Sequence, residues 1–255
     1  MVSGQTPTAP PQHGVVDLDF GVEDRRYREW ITYIFDHRST PDAWYYDIGP
    51  WYPELRARPT ETVGLIGKVL ARSGIDLHEF DNTQVCHGLT CIFSGTCSDL
   101  ADNFARDDVP LDLKVAALRA MKNLYKDCLE PRCAPFLGHL DEGPKNPLNT
   151  FVYMLWDTNI IQHISRNLFE MNNAIIEVMD FALGLNNDAC VESALHGLGH
   201  AHLYHDKLVE MIIDRFLETS IDINATTMAN ARTGLRPLRS ELREYARRAR
   251  QGRII

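Results

Sequence analysis

The sequence predicts an all-α fold of stacked antiparallel helical hairpins, a HEAT-like α-solenoid. Apolar residues recur every three or four positions along most of the chain, which is the period of an amphipathic helix. The breaks between these stretches are short runs of Gly, Pro, Asn and Asp, so consecutive helices should lie side by side. No stretch shows sustained period-two alternation, and we therefore expect no sheet.

The first predicted hairpin covers residues 62–94. Val63, Ile66 and Leu70 form one stripe of a helix over residues 62–72. Asp81 and Gln84 have the spacing of an N-cap and capping box, which predicts a second helix over residues 82–94.

The next predicted helix begins at Pro110, a favourable first-turn residue, and continues to Cys128. Met121 lies on its apolar stripe and is predicted to be core. Pro131 and Pro135 interrupt the chain after this helix and predict a short turn. Another helical stretch that contains Phe136 and Leu140 should follow the turn.

Four helices are predicted in the second half, over residues 148–161, 171–183, 189–204 and 207–217. The first of them is apolar nearly all round and should be buried at the centre. Asp157 lies inside this helix and needs a polar partner there.

Length and charge limit the classes of protein. The chain has 255 residues and a formal net charge of −9, which argues against nucleic acid as a partner. The amino terminus lacks the features of a secretory signal, and no apolar run approaches the roughly 20 residues that cross a bilayer. We therefore expect a soluble, cytoplasmic protein without a membrane partner. Residues 1–35 should form a tail and the start of a cap, and residues 36–255 should form one helical-repeat domain.

Common cofactor and catalytic motifs are absent from the sequence. It contains no Walker loop, no dinucleotide fingerprint, no serine or cysteine triad pattern and no CxxC pair. No cofactor is expected on this basis, apart from a divalent metal at one candidate site.

That candidate site is Glu192, His196 and His200, spaced i, i+4 and i+8 and therefore within about 80° of one helix face. Two imidazoles one turn apart are good metal ligands. Mutual hydrogen bonding at a helix interface is the preferred interpretation, and a metal site is the alternative. Gly197 and Gly199 predict a close approach of another backbone or a ligand.

Two further groups are candidates for binding. Trp44, Tyr46 and Trp51 belong to an aromatic cluster that either lines a ligand groove or caps the end of the solenoid.

The segment over residues 232–253 carries eight arginines, which suggests either RNA binding or a terminal helix that pairs with the acidic body. We favour the second interpretation, because runs of charge are usually solvated faces.

Several motifs together resemble an uncharacterised family of bacterial HEAT-like helical-repeat proteins. They are Pro110-Leu111, the run from Asp127 to Cys133, Pro147-Leu148-Asn149, the run from Tyr153 to Asp157, the run from Glu192 to His200, and Ile212-Ile213-Asp214. The resemblance implies a fold and a bacterial source. It does not imply any particular activity, because none is established for the family.

Architecture therefore provides the functional hypothesis. Helical repeats commonly present a concave binding surface, so we expect a binding or scaffold protein that recognises a protein or peptide. A metal-dependent or small-molecule enzyme centred on Glu192, His196 and His200 is the alternative, and RNA binding through the carboxyl-terminal helix is a third hypothesis.

Overall fold

The computed structural model describes residues 19–46, 57–143, 146–158, 160–166, 168–222 and 235–254, and they are mostly helical. The helices are α1 (Asp24–Phe35), α2 (Pro59–Ala71), α3 (Ser73–Asp76), α4 (Asn82–Phe93), α5 (Leu111–Arg119), α6 (Met121–Asn123), α7 (Glu130–Arg132), α8 (Pro147–Thr158), α9 (Ile160–Ser165), α10 (Phe169–Leu183), α11 (Asp188–Glu218) and α12 (Ser240–Ala249). The prediction of an all-α class is confirmed.

The prediction of no sheet is wrong at one place. Two three-residue strands, β1 (Ser220–Asp222) and β2 (Arg236–Leu238), pair in parallel, with Ser220 opposite Arg236. Strands this short cannot show the period-two alternation by which a sequence indicates a strand. Their pairing brings the end of α11 close to the start of α12.

The two helices predicted for the first hairpin are present as α2 and α4, but they do not pack as a hairpin: α2 packs mainly against α5, and α4 packs mainly against α8. Asp81 caps α4, since its carboxylate accepts hydrogen bonds from the backbone N–H groups of Thr83 and Gln84, both at 2.9 Å. The Gln84 side chain in turn accepts from the Asp81 backbone N–H at 3.0 Å, which completes the capping box.

The helix predicted from Pro110 is present as a continuous helical path. It runs through α5 and α6, a π-helical segment at Leu124–Leu129, and α7. Met121 is fully buried, as its place on the stripe predicted. The helical stretch predicted around Phe136 and Leu140 is wrong: the structure has only a 3₁₀ turn, Gly138–Leu140, and Leu140 is exposed.

Helices α8 and α11 form the centre of the second half. α11 contacts α8, α10 and α12, and α8 also contacts α4. Val152, Leu155 and Trp156 of α8 are fully buried. The predicted break before residue 207 is present, because His205 has non-helical dihedral angles inside α11.

Both glycines of the α11 motif allow close packing, but side chains approach them and not the backbone or ligand that the sequence predicted. A Cβ atom on Gly197 would lie 2.7 Å from the Trp156 ring of α8, and one on Gly199 would lie 2.7 Å from the Ile254 side chain. Neither distance is tolerated between real atoms. These two positions therefore bring α8 and the carboxyl-terminal segment against the face of α11 that carries His196 and His200.

The amino-terminal region contains a helix that the sequence patterns did not indicate. α1 buries Trp30, Ile34 and Phe35 in the core, whereas residues 1–18 of the predicted tail lie outside the described part of the chain. No helix among the described residues is both long and apolar enough to span a membrane.

Candidate metal site

Three potential metal ligands meet where the last turn of α8 packs against the middle of α11. Nε2 of His196 lies 2.8 Å from Oδ2 of Asp157, and Nε2 of His200 contacts Oδ1 of the same carboxylate. The two Nε2 atoms are 3.1 Å apart. One ligand atom from each of the three side chains lies within 4.8 Å of the other two. Among the described residues, no other three His, Cys, Asp or Glu side chains meet in this way.

These spacings are close to those of a coordination sphere. Tetrahedral zinc with bonds of about 2.0–2.1 Å places neighbouring ligand atoms about 3.3 Å apart. The separations of 2.8 and 3.1 Å are shorter, and the two histidines contact different oxygens of Asp157, so the side chains would have to move outward to hold an ion. Asp157 thus has the polar partners that its place in an apolar helix requires.

Tyr245 of α12 fixes the His196 ring from the opposite side. Nδ1 of His196 lies 2.5 Å from the Tyr245 hydroxyl, and both side chains are almost completely buried. Burial raises the pKa of Tyr245, so its hydroxyl stays protonated near neutral pH. Metal-ligating histidines usually have their second nitrogen held in this way, which orients the first nitrogen toward the ion.

His200 forms the solvent side of the cluster. Its side chain is 34% exposed, whereas that of His196 is 1% exposed. Partial burial lowers the pKa of His200 below its usual value, against the opposing effect of Asp157. A lowered pKa favours the neutral imidazole, which is the form that binds a metal.

Glu192 lies outside this cluster, although its spacing in the sequence groups it with the histidines. Its carboxylate is fully buried and accepts hydrogen bonds from the backbone N–H of Gly138 at 2.6 Å and of His139 at 3.1 Å. Nδ1 of His139 also contacts it. Glu192 therefore holds the loop before α8, and Asp157 occupies the position expected of Glu192 beside His196 and His200.

The loop held by Glu192 also supports Tyr245. The His139 ring stacks on the Tyr245 ring with centroids 4.6 Å apart. Arg239, just before α12, donates two hydrogen bonds to Glu142 of the same loop at 2.7 and 2.8 Å. The loop and α12 therefore position each other behind His196.

We expect the pairing of Arg239 with Glu142 to stabilise the fold in a pH-dependent manner. The hydrogen bonds from Arg239 lower the pKa of Glu142 to about 2, from an ordinary value of 4.5. Since the folded-state pKa is the lower one, the stabilisation is complete above pH 4.5 and disappears as the pH falls toward 2. Arg239→Gln should lower the free energy of unfolding by about 1 kcal/mol at neutral pH and by less than half of that at about pH 3.

Urea unfolding at the two pH values measures this difference. Arg247→Gln is the control, because Arg247 pairs with the exposed Glu244 on the same helix. If Arg239→Gln loses the same unfolding free energy at both pH values, Arg239 is not the cause of the lowered Glu142 pKa.

The structure describes two of the three predicted aromatic binding residues. Trp44 stacks on His37 with centroids 4.0 Å apart, and Tyr46 is 71% exposed. Trp51 lies outside the described residues. Neither Trp44 nor Tyr46 belongs to the cluster of Asp157, His196 and His200.

Arginines of the carboxyl-terminal segment pair with the body of the protein. Besides the contact of Arg239 with Glu142, Arg250 donates two hydrogen bonds to Asp214, at 2.5 and 2.8 Å. Arg243 donates to the Ser220 carbonyl at 3.0 Å. These contacts agree with the preferred interpretation of this segment as a terminal helix that packs on an acidic body.

Comparison with protein-family models, curated proteins and solved structures finds no match.

Proposed function

We propose that the chain is a metal-dependent enzyme whose divalent ion is held by Asp157, His196 and His200. The observation that carries this proposal is the convergence of three ligand atoms around one point, with His196 held from behind by Tyr245. Structural zinc sites have four protein ligands, whereas catalytic sites have three and keep a position open for water or substrate. Two histidines and one carboxylate are one such set of three.

Counting protons favours an ion over a purely hydrogen-bonded cluster. The carboxylate of Asp157 only accepts, so its contacts with His196 and His200 each need a hydrogen on Nε2. Two protonated Nε2 atoms cannot then hydrogen-bond each other, although they lie 3.1 Å apart. The contact between the two Nε2 atoms therefore carries no hydrogen bond, whereas a cation held by Asp157, His196 and His200 would replace both protons and be coordinated by all three side chains.

A bound ion supplies one of two functions at such a site. It would polarise a substrate oxygen or activate a water as a nucleophile. The protein's contribution is to fix the ligands, with His196 oriented by Tyr245 and Asp157 held at the end of a buried helix. The half-exposed His200 marks the side from which a substrate reaches the ion.

The proposal predicts that the purified protein binds about one divalent ion per chain after incubation with zinc, manganese or iron(II) and removal of excess metal. Asp157→Asn should lose most of this metal, because it removes a charged ligand. Elemental analysis and native mass spectrometry measure the stoichiometry.

Asp180→Asn is a matched control, since Asp180 is a partly exposed acid that pairs with Arg215. It should retain the metal content of the parent protein. A metal-free parent after all three incubations, or equal metal content in Asp157→Asn and the parent, contradicts the proposal.

A HEAT-like solenoid that binds a protein or peptide is a second proposal. Large apolar side chains that stand exposed support it, among them Phe169 at 73%, Leu203 at 77% and Met211 at 58%. Apolar side chains of this size are the kind that a protein partner buries at an interface. This role is compatible with a metal centre in the same chain.

A further inference from the structure

We infer that Arg248 and the hydroxyl of Tyr153 bind a phosphate group of the substrate beside the proposed metal ion. This inference rests on the proposed function and names the substrate class for the same site. Tyr153 lies on α8, one turn before the proposed metal ligand Asp157. Arg248 lies on α12, one turn after Tyr245, which holds the His196 ring.

The guanidinium of Arg248 lacks a counterion. It lies over the Tyr245 ring, 5.3 Å from the centroid, and makes no hydrogen bond or ion pair with any described residue. The other two arginines of α12, Arg243 and Arg247, both donate hydrogen bonds within the protein. Arg248 is half-buried, and its Nε atom is buried without an acceptor. Buried donors nearly always have a partner, so an acceptor is missing at this place.

Arg248 lies level with the solvent side of the metal cluster. α12 runs beside the first part of α11 in the same direction, because Tyr245 contacts His196 and, further along both segments, Gly252 lies against His202. Arg248 comes between Tyr245 and Gly252. It is therefore level with the turn of α11 that follows His196, which carries the more exposed ligand of the cluster.

Tyr153 provides a second donor at the same place. Its ring centroid lies 4.8 Å from that of the His196 ring, and its hydroxyl hydrogen-bonds to the Tyr245 hydroxyl. Burial raises the pKa of Tyr153, and the positive charge of Arg248 is among the effects that oppose this rise. Because such an effect weakens with distance, the guanidinium lies near the hydroxyl, and one ligand group can contact both.

Metal binding by His196 sets the direction of these hydrogen bonds. Without an ion, Nε2 of the neutral ring donates to Asp157, so Nδ1 accepts from Tyr245 and the Tyr245 oxygen accepts from Tyr153. With an ion on Nε2, the ring hydrogen is on Nδ1, and the chain runs from His196 through Tyr245 to Tyr153. A hydroxyl has one hydrogen to donate, so only the second arrangement leaves that of Tyr153 for a ligand.

A phosphate group matches these donors better than a carboxylate does. A guanidinium binds two oxygens of an anion through parallel hydrogen bonds, and a carboxylate has no third oxygen. A phosphate has a further oxygen for the Tyr153 hydroxyl, and it carries a charge of about −1.5 to −2 at pH 7. Arginines and divalent ions commonly bind the same phosphate group in enzymes.

Inorganic phosphate is a suitable probe, measured by isothermal titration calorimetry on the metal-loaded protein, with acetate as the comparison. We expect phosphate to bind at least about fivefold more tightly than acetate. Arg248→Gln should weaken phosphate binding about tenfold or more, because it removes a charged donor, and should leave the metal content unchanged. Tyr153→Phe should weaken it about tenfold through the loss of one hydrogen bond to a charged group.

Arg247→Gln is the matched control, because Arg247 is adjacent on α12 and pairs with the exposed Glu244. It should bind phosphate as the parent protein does. Arg248→Gln removes no hydrogen bond between described residues, so it should fold normally, which circular dichroism checks. Phosphate that contacts only the ion binds equally to Arg248→Gln and the parent, and that result overturns the inference. Acetate binding as tight as that of phosphate overturns the substrate class.

Failure of the proposed function gives a different result. If elemental analysis finds no bound metal, the same titrations on the metal-free protein test the phosphate site alone. Phosphate binding that Arg248→Gln weakens then supports the site without an ion. Binding that does not depend on Arg248, or no binding, overturns it.

Discussion

Met121→Asp is expected to lower the free energy of unfolding by about 4 kcal/mol or more, which is enough to unfold a domain of ordinary stability. Met121 is fully buried in α6, in the middle of the helical path from Leu111 to Arg132. An aspartate there places an unpaired charge in the core, or forces it to take up a proton at a cost of similar origin. Urea unfolding followed by circular dichroism measures the change.

Met211→Asp is the matched control for this prediction. It makes the same chemical substitution at a methionine of α11 that is 58% exposed. We expect its unfolding free energy to change by less than about 0.5 kcal/mol. Similar unfolding curves for the two variants contradict the placement of Met121 in the core.

Local sequence signals located much of the helical framework. Asp81 with Gln84 predicted where α4 begins, because a capping box depends on atoms three residues apart. The stripe containing Met121 predicted a buried face, and the polar break near His205 predicted the irregularity within α11. Each of these features depends on neighbours along the chain, so the sequence alone contains the information.

The partners of the candidate site depend on tertiary packing instead. Helical spacing correctly places His196 and His200 on one face, one turn apart. It does not reveal which neighbouring helix covers each turn of that face. Asp157 lies 39 residues before His196 and Tyr245 lies 49 residues after it. The one available signal was an acidic residue inside an apolar helix, which indicated that Asp157 needs a partner without identifying it.

The loop before α8 explains why a predicted helical stretch did not form. The backbone N–H groups of Gly138 and His139 donate to the Glu192 carboxylate. Backbone groups paired in this way do not need the hydrogen bonds of a helix. A long-range contact has therefore replaced a local one, and the same contact removes Glu192 from the metal cluster.

Glu192→Ala should lower the free energy of unfolding by about 3 kcal/mol or more without removing the metal. The substitution leaves two backbone N–H groups without their acceptor, and buried unpaired groups cost about 1–3 kcal/mol each. It also removes the contact that holds His139 against Tyr245. Asp157, His196 and His200 remain, so the metal content should match that of the parent protein.

Two measurements on each variant separate a structural role of Glu192 from a ligand role. Urea unfolding of chelator-treated protein gives stability without any contribution from a bound ion, and elemental analysis of metal-loaded protein gives the stoichiometry. Glu244→Ala is the control, because Glu244 is an exposed acid of α12 and its loss should change neither quantity. If Glu192→Ala instead loses its metal and keeps its stability, Glu192 is a ligand, and the grouping with His196 and His200 that the sequence suggested is correct.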